Sequence, residues 1–427
     1  MRELVIVLFM VGSAFVGFIR PWFGVLALAV LAYLNPQMYA WGFSISLPTY
    51  FVVFISTFLG LMFTKDRQPF PRTRETNLFL ILLAYFTFTT LWNPDFPDAA
   101  WEQWVKVMKI YIGIFPTLWL INSRDRLRWL LITIALSFGL IGLKGGVFAL
   151  ATGFQYRVWG PPNSFYGGNN EIALALNMTL PLLLLFARET EAKWAKALFY
   201  GSLILSVASV LSTWSRGGLL TLCAVLGAMI LTGKKKWLSV PIVIVAVILV
   251  LPKLPEEWFA RMETIKNYQE DGSAVGRMDS WQFAVDRALK NPLTGGGFAC
   301  FSARLDSHSA YFQILAHHGF VALGLWLSLL FGTMIALERL RRKATALNGV
   351  EWIIRYARAI QISLLGYSVG AAFLGAGYWD IFYHLAAICT ILKLQLLQTQ
   401  TIQEASGAVG HLSAIPAPSR LHLSSPV

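Results

Sequence analysis

Residues 197–232 read ALFYGSLILSVASVLSTWSRGGLLTLCAVLGAMILT, with two apolar runs, 197–213 and 217–232, on either side of a short polar turn. Each run approaches the roughly 20 residues that a helix needs to cross a bilayer. Arg216 stands in the turn, and because arginine keeps its charge in a protein, it needs water or an anion nearby. The stretch therefore predicts a transmembrane hairpin with a cation at its tip.

The same apolar pattern recurs along the whole chain of 427 residues, of which 56% are hydrophobic and only 13% charged. The mean hydropathy of +0.59 lies well above the range of soluble proteins. Further apolar windows lie at 77–92, 105–121, 128–151, 171–187, 237–252, 309–336, 360–374 and 378–396. The sequence therefore predicts an all-α polytopic membrane protein. The three cysteines have no metal-ligand spacing and an odd count, which argues against a disulfide framework.

The net charge of +13 is distributed in a way that argues against a nucleic-acid partner. The surplus alternates with the apolar windows, and cytoplasmic loops of membrane proteins carry such a surplus. The basic loops are 64–77, 122–129, 188–196, 234–236 and 338–358. We interpret the basic loops as cytoplasmic. The intervening loops, which we expect to face outward, are 93–104, 153–170, 214–218, 253–308 and 375–379.

The N-terminal region is less regular than the rest of the chain. Three short apolar segments, 4–19, 22–36 and 47–63, would place the N-terminus outside, whereas two crossings would place it inside. We expect about twelve transmembrane helices, with both termini cytoplasmic. The membrane domain then spans 1–401, and the segment 402–427 is expected to be a disordered cytoplasmic tail.

Arg216 has two alternative explanations. A lone interfacial arginine commonly extends its side chain to lipid phosphates. Its neighbours favour a bound anion instead: Gly217 and Gly218 remove side-chain bulk, and Ser215 adds a hydroxyl donor. If a helix begins at these glycines, its first N–H groups also favour an anion.

The outward loop 253–308 is too long for a simple connector. Gly272 or Ser273 can cap a short helix that ends before Asn291-Pro292. By their three- and four-residue spacings, one face of this helix carries Arg277, Trp281, Ala284 and Ala288. Arg277 can either bind an anionic ligand or pair with an acid such as Asp279.

His308 lies where this loop meets the next apolar run. Histidine titrates near neutral pH, so it can take a proton from a sugar hydroxyl. His317 and His318 lie two to three turns further on, at spacings unsuited to a shared metal site, and we expect them to pack or line the interior.

The outward segment 153–170 and the preceding run add further candidates. Amide groups bond to sugar hydroxyls and aromatic rings cover the apolar faces of sugars. An ionisable residue inside an apolar run is a candidate functional residue, although a lysine there can also extend its side chain to the interface. The candidates for substrate binding are Arg157, Asn169, Asn170, Lys144, Ser215 and Trp281.

Together, Arg157, Arg216, Arg277 and His308 are expected at one membrane face, where a polyanion such as a lipid-linked diphosphate fits. No pair of carboxylates with Mg²⁺-binding spacing lies outside, so we expect no metal and no cofactor.

Three pieces of the sequence resemble the O-antigen ligase and polymerase superfamily. They are STWSRGG at 212–218, the run Gly276-Arg277…Trp281…Asn291-Pro292…GGGF, and His308-Ser309 followed by nine residues and Gly319. The resemblance extends over about 75–395 and is closest to the exosortase-associated branch described as probable O-glycosylation ligases. Ala322 departs from the pattern, since the family often has Gly, Thr or Tyr there.

The resemblance implies a GT-C type, metal-independent glycosyltransferase of the bacterial inner membrane with a periplasmic active site. It implies transfer of a glycan from undecaprenyl pyrophosphate to lipid A–core, as in lipopolysaccharide, or to a protein hydroxyl. The essential residues of the family correspond here to Arg216, Arg277 and His308. The resemblance implies that these three are the catalytic residues. Two alternatives remain. The first is a polymerase on the same fold, and the second, ranked below it, is a transporter of anionic glycans.

Overall fold

The computed structural model describes residues 2–40, 42–92, 94–233, 236–263, 272–301 and 307–413. These residues form helices, turns and loops, with no β-strand among them. The helices are α1 (Arg2–Ile19), α2 (Pro21–Tyr33), α3 (Thr49–Phe63), α4 (Arg74–Leu91), α5 (Pro97–Leu120), α6 (Arg124–Ala151), α7 (Asn169–Glu189), α8 (Lys193–Leu211), α9 (Arg216–Leu231), α10 (Lys236–Val250), α11 (Glu256–Glu263), α12 (Gly272–Lys290), α13 (Ala310–Ala344), α14 (Glu351–Gly370) and α15 (Asp380–Ser413).

Six of the described helices, α1, α6, α7, α8, α13 and α15, are long and apolar enough to cross a membrane. Three shorter apolar helices, α2, α3 and α9, accompany them. The all-helical membrane architecture is therefore confirmed, whereas the count of about twelve crossings stays a prediction.

The interior of the bundle is built around α7, which packs against α6, α8, α9 and α14. In the most apolar part of α7, 83% of the residues are buried, against 11% in α1 at the periphery. Small residues allow α6 and α8 to approach closely. A Cβ added at Gly142 would lie 2.0 Å from Ser206 Oγ, and one at Gly146 would lie 2.1 Å from the Leu205 carbonyl oxygen. Such small-residue contacts let helix backbones come together where lipid supplies no hydrophobic driving force.

The helix α13 is broken at Gly319, whose backbone lies at φ 78° and ψ −173°. The segment 291–298 fills the break. Gly296 N donates to the Ala316 carbonyl at 2.8 Å, Gly297 N to the His317 carbonyl at 2.9 Å, and Phe320 N to the Pro292 carbonyl at 2.8 Å. The GGGF turn, residues 295–298, is thus hydrogen-bonded to a membrane helix.

His317 and His318 lie beneath this turn and are buried, as expected for packing residues. The Tyr378 hydroxyl joins them, at 2.8 Å from His317 Nδ1 and 2.9 Å from His318 Nε2. Thr89 Oγ1 lies 2.6 Å from His318 Nδ1. This chain of hydrogen bonds ties α4 and α13 to the segment before α15.

The bundle has two faces, which we name by their loops. The basic face carries 64–73, 121–123, 190–192 and 345–350, and here Arg126 pairs with Asp66. This ion pair and its hydrogen bonds lower the pKa of Asp66 below its usual range. The opposite face carries 34–48, 92–96, 152–168, 212–215 and 371–379.

The start of α1 lies at the opposite face, because Glu3 accepts hydrogen bonds from Gly42 N and Ser44 N, both at 2.8 Å. The expectation that both ends lie at the basic face is therefore wrong for the N-terminal end. The reason is local: Arg20-Pro21 is a tight turn between two antiparallel helices, not a break within one. Close packing of Gly17 and Gly24 around Thr57 holds these helices against α3.

The expected disordered tail 402–427 is also partly wrong. The helix α15 continues to Ser413, and Gln403 Nε2 donates to the Asn348 carbonyl at 2.8 Å. Helix extension from a packed segment needs no nucleation, and the residues up to Ser413 include no proline. The remainder, 414–427, lies outside the described residues.

Substitution of Gly295 tests the importance of the segment that fills the α13 break. Gly295 has φ +62°, and an added Cβ would lie 2.5 Å from the Ala316 carbonyl oxygen. We expect Gly295→Ala to destabilise the protein by about 2–5 kcal/mol, from left-handed strain plus the clash. Thermal unfolding in detergent measures the change.

Gly349→Ala is the matched control, since Gly349 has φ +75° but nothing within 4 Å of an added Cβ. It should cost only the strain, about 1–2 kcal/mol. Equal destabilisation by the two substitutions would show that the contact with α13 is unimportant.

Candidate functional site

The turn between α8 and α9 is held by Ser215. Its backbone is extended, at φ −87° and ψ 115°, and its Oγ accepts from Gly218 N at 3.0 Å, which caps α9. The same Oγ donates to Asn170 Oδ1 at 2.6 Å. This cap fixes the position of Arg216, the first residue of α9.

Asn169 and Asn170, at the start of α7, anchor the same turn. Asn169 Nδ2 donates to the Thr213 carbonyl at 2.9 Å, while Asn170 accepts from Ser215. Both were expected to bind sugar hydroxyls. In the structure their amides are engaged with the protein, so they position the turn, although Asn170 also lines the cavity beside it.

Gly217 and Gly218 make room for protein atoms. An added Cβ would lie 3.1 Å from Phe373 Cβ at Gly217, and 2.7 Å from Ala173 Cβ at Gly218. The close approach that the sequence predicts is therefore made by α7 and by the 371–373 turn. This packing seats the start of α9 against two neighbouring elements.

Three arginines meet in one small cavity: Arg216 from α9, Arg261 from α11 and Arg277 from α12. Each is partly exposed. The rest of the described lining is Asn170, Leu174, Ser215, Gly217, Gly218, Thr221, Gly370, Phe373 and Leu374. The volume is about 30 Å³, roughly that of one water, so a larger anion enters only if these side chains move.

Arg261 was not identified from the sequence. It lies three residues after the buried Trp258 on the short helix α11, and its Nε donates to the Trp214 carbonyl at 2.9 Å. Trp258 Nε1 donates to the Leu211 carbonyl at 3.0 Å. The three-residue spacing of Trp258 and Arg261 is the signal that could have placed Arg261 on the same side as Arg216.

The helix α12 carries Arg277 as predicted, and it begins at Gly272 and ends at Lys290. Ala284 and Ala288, which we expected on the same face of this helix as Arg277, are fully buried. Trp281, one turn after Arg277, stacks on Phe312 with ring centroids 5.0 Å apart. Its Nε1 donates to the Ser307 carbonyl at 2.8 Å, so Trp281 holds the start of α13 where we expected it to contact substrate.

His308 sits in the turn that Trp281 holds. Its backbone is left-handed, at φ 48°, which is uncommon for a residue other than glycine. Ser307 Oγ accepts from Ser309 N at 3.3 Å and donates to the Ser309 carbonyl at 2.8 Å, closing a loop around the histidine. Both serines are buried while His308 is half-buried, so the turn presents the imidazole outward.

His308 is not among the described residues that line the arginine cavity, but two contacts bring α13 close to it. Trp281 belongs to the helix of Arg277, and Tyr311 Oη donates to the Ser368 carbonyl at 2.7 Å. Ser368 is two residues before Gly370, which lines the cavity. The helices α12 and α14, which both contribute to the arginine cavity, therefore also contact the start of α13 beside the histidine turn.

Lys144 and Arg157 line a different and larger cavity, of about 1040 Å³, together with Arg2 and Tyr39. Lys144 Nζ lies 4.6 Å from the centroid of the Tyr39 ring. Burial raises the pKa of Tyr39 to about 12. Lys144 thus belongs to a cationic, aromatic cavity beside the arginine cluster.

Trp214 connects the two cavities. The guanidinium of Arg157 lies 5.3 Å from the Trp214 ring centroid, and the Trp214 carbonyl binds Arg261. The Trp214 backbone is left-handed, at φ 56°, and its Nε1 donates to the Phe154 carbonyl at 3.1 Å. Trp214, with its strained backbone, therefore lies between Arg157 and the three clustered arginines.

Comparison with known families supplies the decisive observation: residues 201–327 match the O-antigen ligase family. The chain thus carries a domain of the O-antigen ligase superfamily. Residues 1–191 match a family of unknown function (DUF5935). A search of curated proteins finds no match to the chain.

Superfamily membership and the apolar helices make this chain a multi-pass membrane protein with a glycosyl-transfer role of the ligase or polymerase type. The O-antigen ligase match contains Arg216, Arg261, Arg277 and His308, and the match of unknown function contains Lys144, Arg157, Asn169 and Asn170. The arginine cluster and the histidine turn thus lie in the ligase portion.

Ser215→Ala tests whether the turn depends on its cap. The substitution removes the α9 cap and the hydrogen bond to Asn170, and we expect a loss of about 0.5–2 kcal/mol of stability. Thermal unfolding in detergent checks this, with Ser46→Ala at an exposed site as the control. No difference between the two variants would mean that the cap does not hold the turn.

Proposed function

We propose that the protein transfers a glycan from undecaprenyl pyrophosphate to a hydroxyl of a periplasmic acceptor, without a metal ion. The observation that carries the proposal is the meeting of Arg216, Arg261 and Arg277 in one cavity. Three permanent cations suit a diphosphate, which each guanidinium can bind with two parallel hydrogen bonds. Family membership supplies the class of reaction.

The arginines would act on the leaving group. As the bond between the sugar C1 and the diphosphate oxygen breaks, negative charge grows on the diphosphate. The start of α9 adds its helix dipole to the three guanidinium groups, since Arg216 is the first helical residue. Fixed positive charge at the point where negative charge develops lowers the barrier.

His308 would act on the acceptor. The acceptor oxygen forms the new bond to C1 and loses its proton to the imidazole, while the lipid diphosphate leaves with the bonding electrons. The products are the glycoside, the lipid diphosphate and one proton. The half-buried position of His308, in a turn fixed by Ser307 and Ser309, suits a base that must meet an incoming substrate.

The acceptor proposed is lipid A–core or a protein Ser or Thr. We keep polymerisation of glycan repeat units as an alternative on the same site, because acceptor choice depends on cavity shape. Lys144 and Arg157 are proposed to contact the donor from the larger cavity, next to Trp214.

Arginine variants test the leaving-group assignment. Arg216→Ala, Arg277→Ala and Arg261→Ala should each lower the rate of transfer by about 10²–10³-fold, the cost of removing one transition-state donor. The assay uses purified protein, an undecaprenyl-pyrophosphate-linked glycan, lipid A–core and EDTA, with glycan mobility on a gel as the readout. A ladder of longer glycans would indicate a polymerase.

Arg72→Ala is the control, because Arg72 is exposed in the loop 64–73 of the basic face. It should transfer glycan at the unmodified rate. If the variants of the cavity arginines also keep the full rate, the proposed diphosphate site is wrong.

His308 and Trp281 have separable roles. His308→Ala should abolish transfer. Trp281→Phe keeps the stacking on Phe312 but removes the hydrogen bond to Ser307, so we expect a loss of about 10-fold from misplacement of the histidine turn. Comparison of kcat for the two variants checks this; a His308→Ala variant with normal turnover would remove histidine from the mechanism.

A further inference from the structure

A second site is formed mostly by residues of the segment 1–191, which matches the family of unknown function, together with the start of α15. A cavity of about 550 Å³, which we call the N-terminal cleft, runs between α2, α3, α5, α15 and the loop 163–165. Its volume is in the range of small-molecule sites.

The lining of the N-terminal cleft changes from polar to apolar with depth. The end at the opposite face carries Asn35, Gln37, Asn163 and Asp380. Along α2 the lining becomes apolar from Leu31 to Val25, and Val25 lies eight residues before Tyr33, which corresponds to about 12 Å of helix. A ligand that fits this gradient has a polar head and an apolar chain.

The polar groups deep in the cleft are already satisfied by the protein. His384 Nδ1 lies 2.8 Å from Tyr33 Oη, and His384 Nε2 lies 3.0 Å from Thr117 Oγ1. Both ring nitrogens are therefore occupied, and this end presents no unmet hydrogen bond to a ligand from the histidine. Specific recognition has to come from the polar end.

The polar end offers two acceptors. Gln37 is only 8% exposed, and within the described residues its Oε1 is buried with no hydrogen-bond partner. Asp380 receives hydrogen bonds from Tyr166 and from Ile381 N, both on Oδ1. A buried carbonyl without a donor costs free energy, so a ligand N–H or O–H at Gln37 would be stabilising.

The polar end also offers positive charge. Lys106 and Lys109, about one helical turn apart on α5, both line the cleft. Lys106 forms an exposed ion pair with Glu102 at 2.9 Å, so Lys109 is the stronger candidate to bind an anionic group of a ligand. Cations and acceptors at one end of an apolar channel match a headgroup that has both a phosphate and a donor.

We propose that the N-terminal cleft binds a diacyl glycerophospholipid. Its phosphate lies at Lys109 and Lys106, a headgroup N–H or O–H donates to Gln37 Oε1 and Asp380, and an acyl chain lies along α2 and α5. This site is separate from the arginine cavity, since no described residue lines both. The proposal does not depend on the proposed transfer reaction.

The test measures lipid binding to the purified, delipidated protein by native mass spectrometry. The probes are phosphatidylethanolamine, phosphatidylcholine and diacylglycerol with identical chains. Phosphatidylcholine keeps the phosphate but its headgroup has no N–H donor, and diacylglycerol lacks the phosphate. We expect affinity to fall in that order, by about tenfold at each step.

Two variants assign the polar contacts. Lys109→Glu should weaken phosphatidylethanolamine and phosphatidylcholine alike, by about tenfold. Gln37→Met removes the acceptor at similar size and should weaken only phosphatidylethanolamine. Lys193→Glu, on α8 at the basic face, is the control and should bind all probes as the unmodified protein does.

Three results would overturn the proposal. They are equal binding of diacylglycerol and phosphatidylethanolamine, unchanged binding in both Lys109→Glu and Gln37→Met, and binding of a soluble oligosaccharide in place of the phospholipids. Thermal unfolding of each variant shows whether it is folded. Because Gln37 and Lys109 lie on different elements, one variant still tests the proposal if the other does not fold.

Discussion

The architecture depends on one constraint: a backbone N–H or carbonyl inside a membrane protein has to find a partner in the protein. At Gly319 the helix α13 gives up part of its own hydrogen bonding, and the segment 291–298 replaces it. That exchange ties the long segment after α10 to the helix bundle. Since α12 leads directly into 291–298, the same exchange fixes the helix that carries Arg277 and Trp281. The hydrogen bonds between 291–298 and the break in α13 therefore help to position the candidate site.

The sequence predicted the helical membrane class and most helices well, because apolar windows and basic loops report directly on bilayer crossing. It also predicted α12 within the long loop. The predictions were wrong where contacts between residues distant in sequence determine the local structure. The bonds of Glu3 to 42–44 and the contact of the continued α15 with Asn348 depend on partners far away in sequence.

The candidate site shows the same division. Arg216 and Arg277 were found from local pattern, and the structure brings them into one cavity. Arg261 was missed because its position depends on Trp258 packing beneath α8 and α9. Trp281, Asn169 and Asn170 were assigned to substrate on residue type alone. Trp281 Nε1, Asn169 Nδ2 and Asn170 Oδ1 each form a hydrogen bond that holds a turn, a role that composition does not distinguish from ligand binding.

The continuous helix α15 has a consequence for attached proteins. Its 34 residues correspond to about 51 Å, whereas the hydrocarbon core of a bilayer is about 30 Å thick. It begins at Asp380, at the face opposite the basic loops, so its last turns project well beyond the membrane at the basic face. The bond from Gln403 to Asn348 steadies this projection. A reporter fused after α15 would therefore be carried on a stiff stem rather than on a flexible tether.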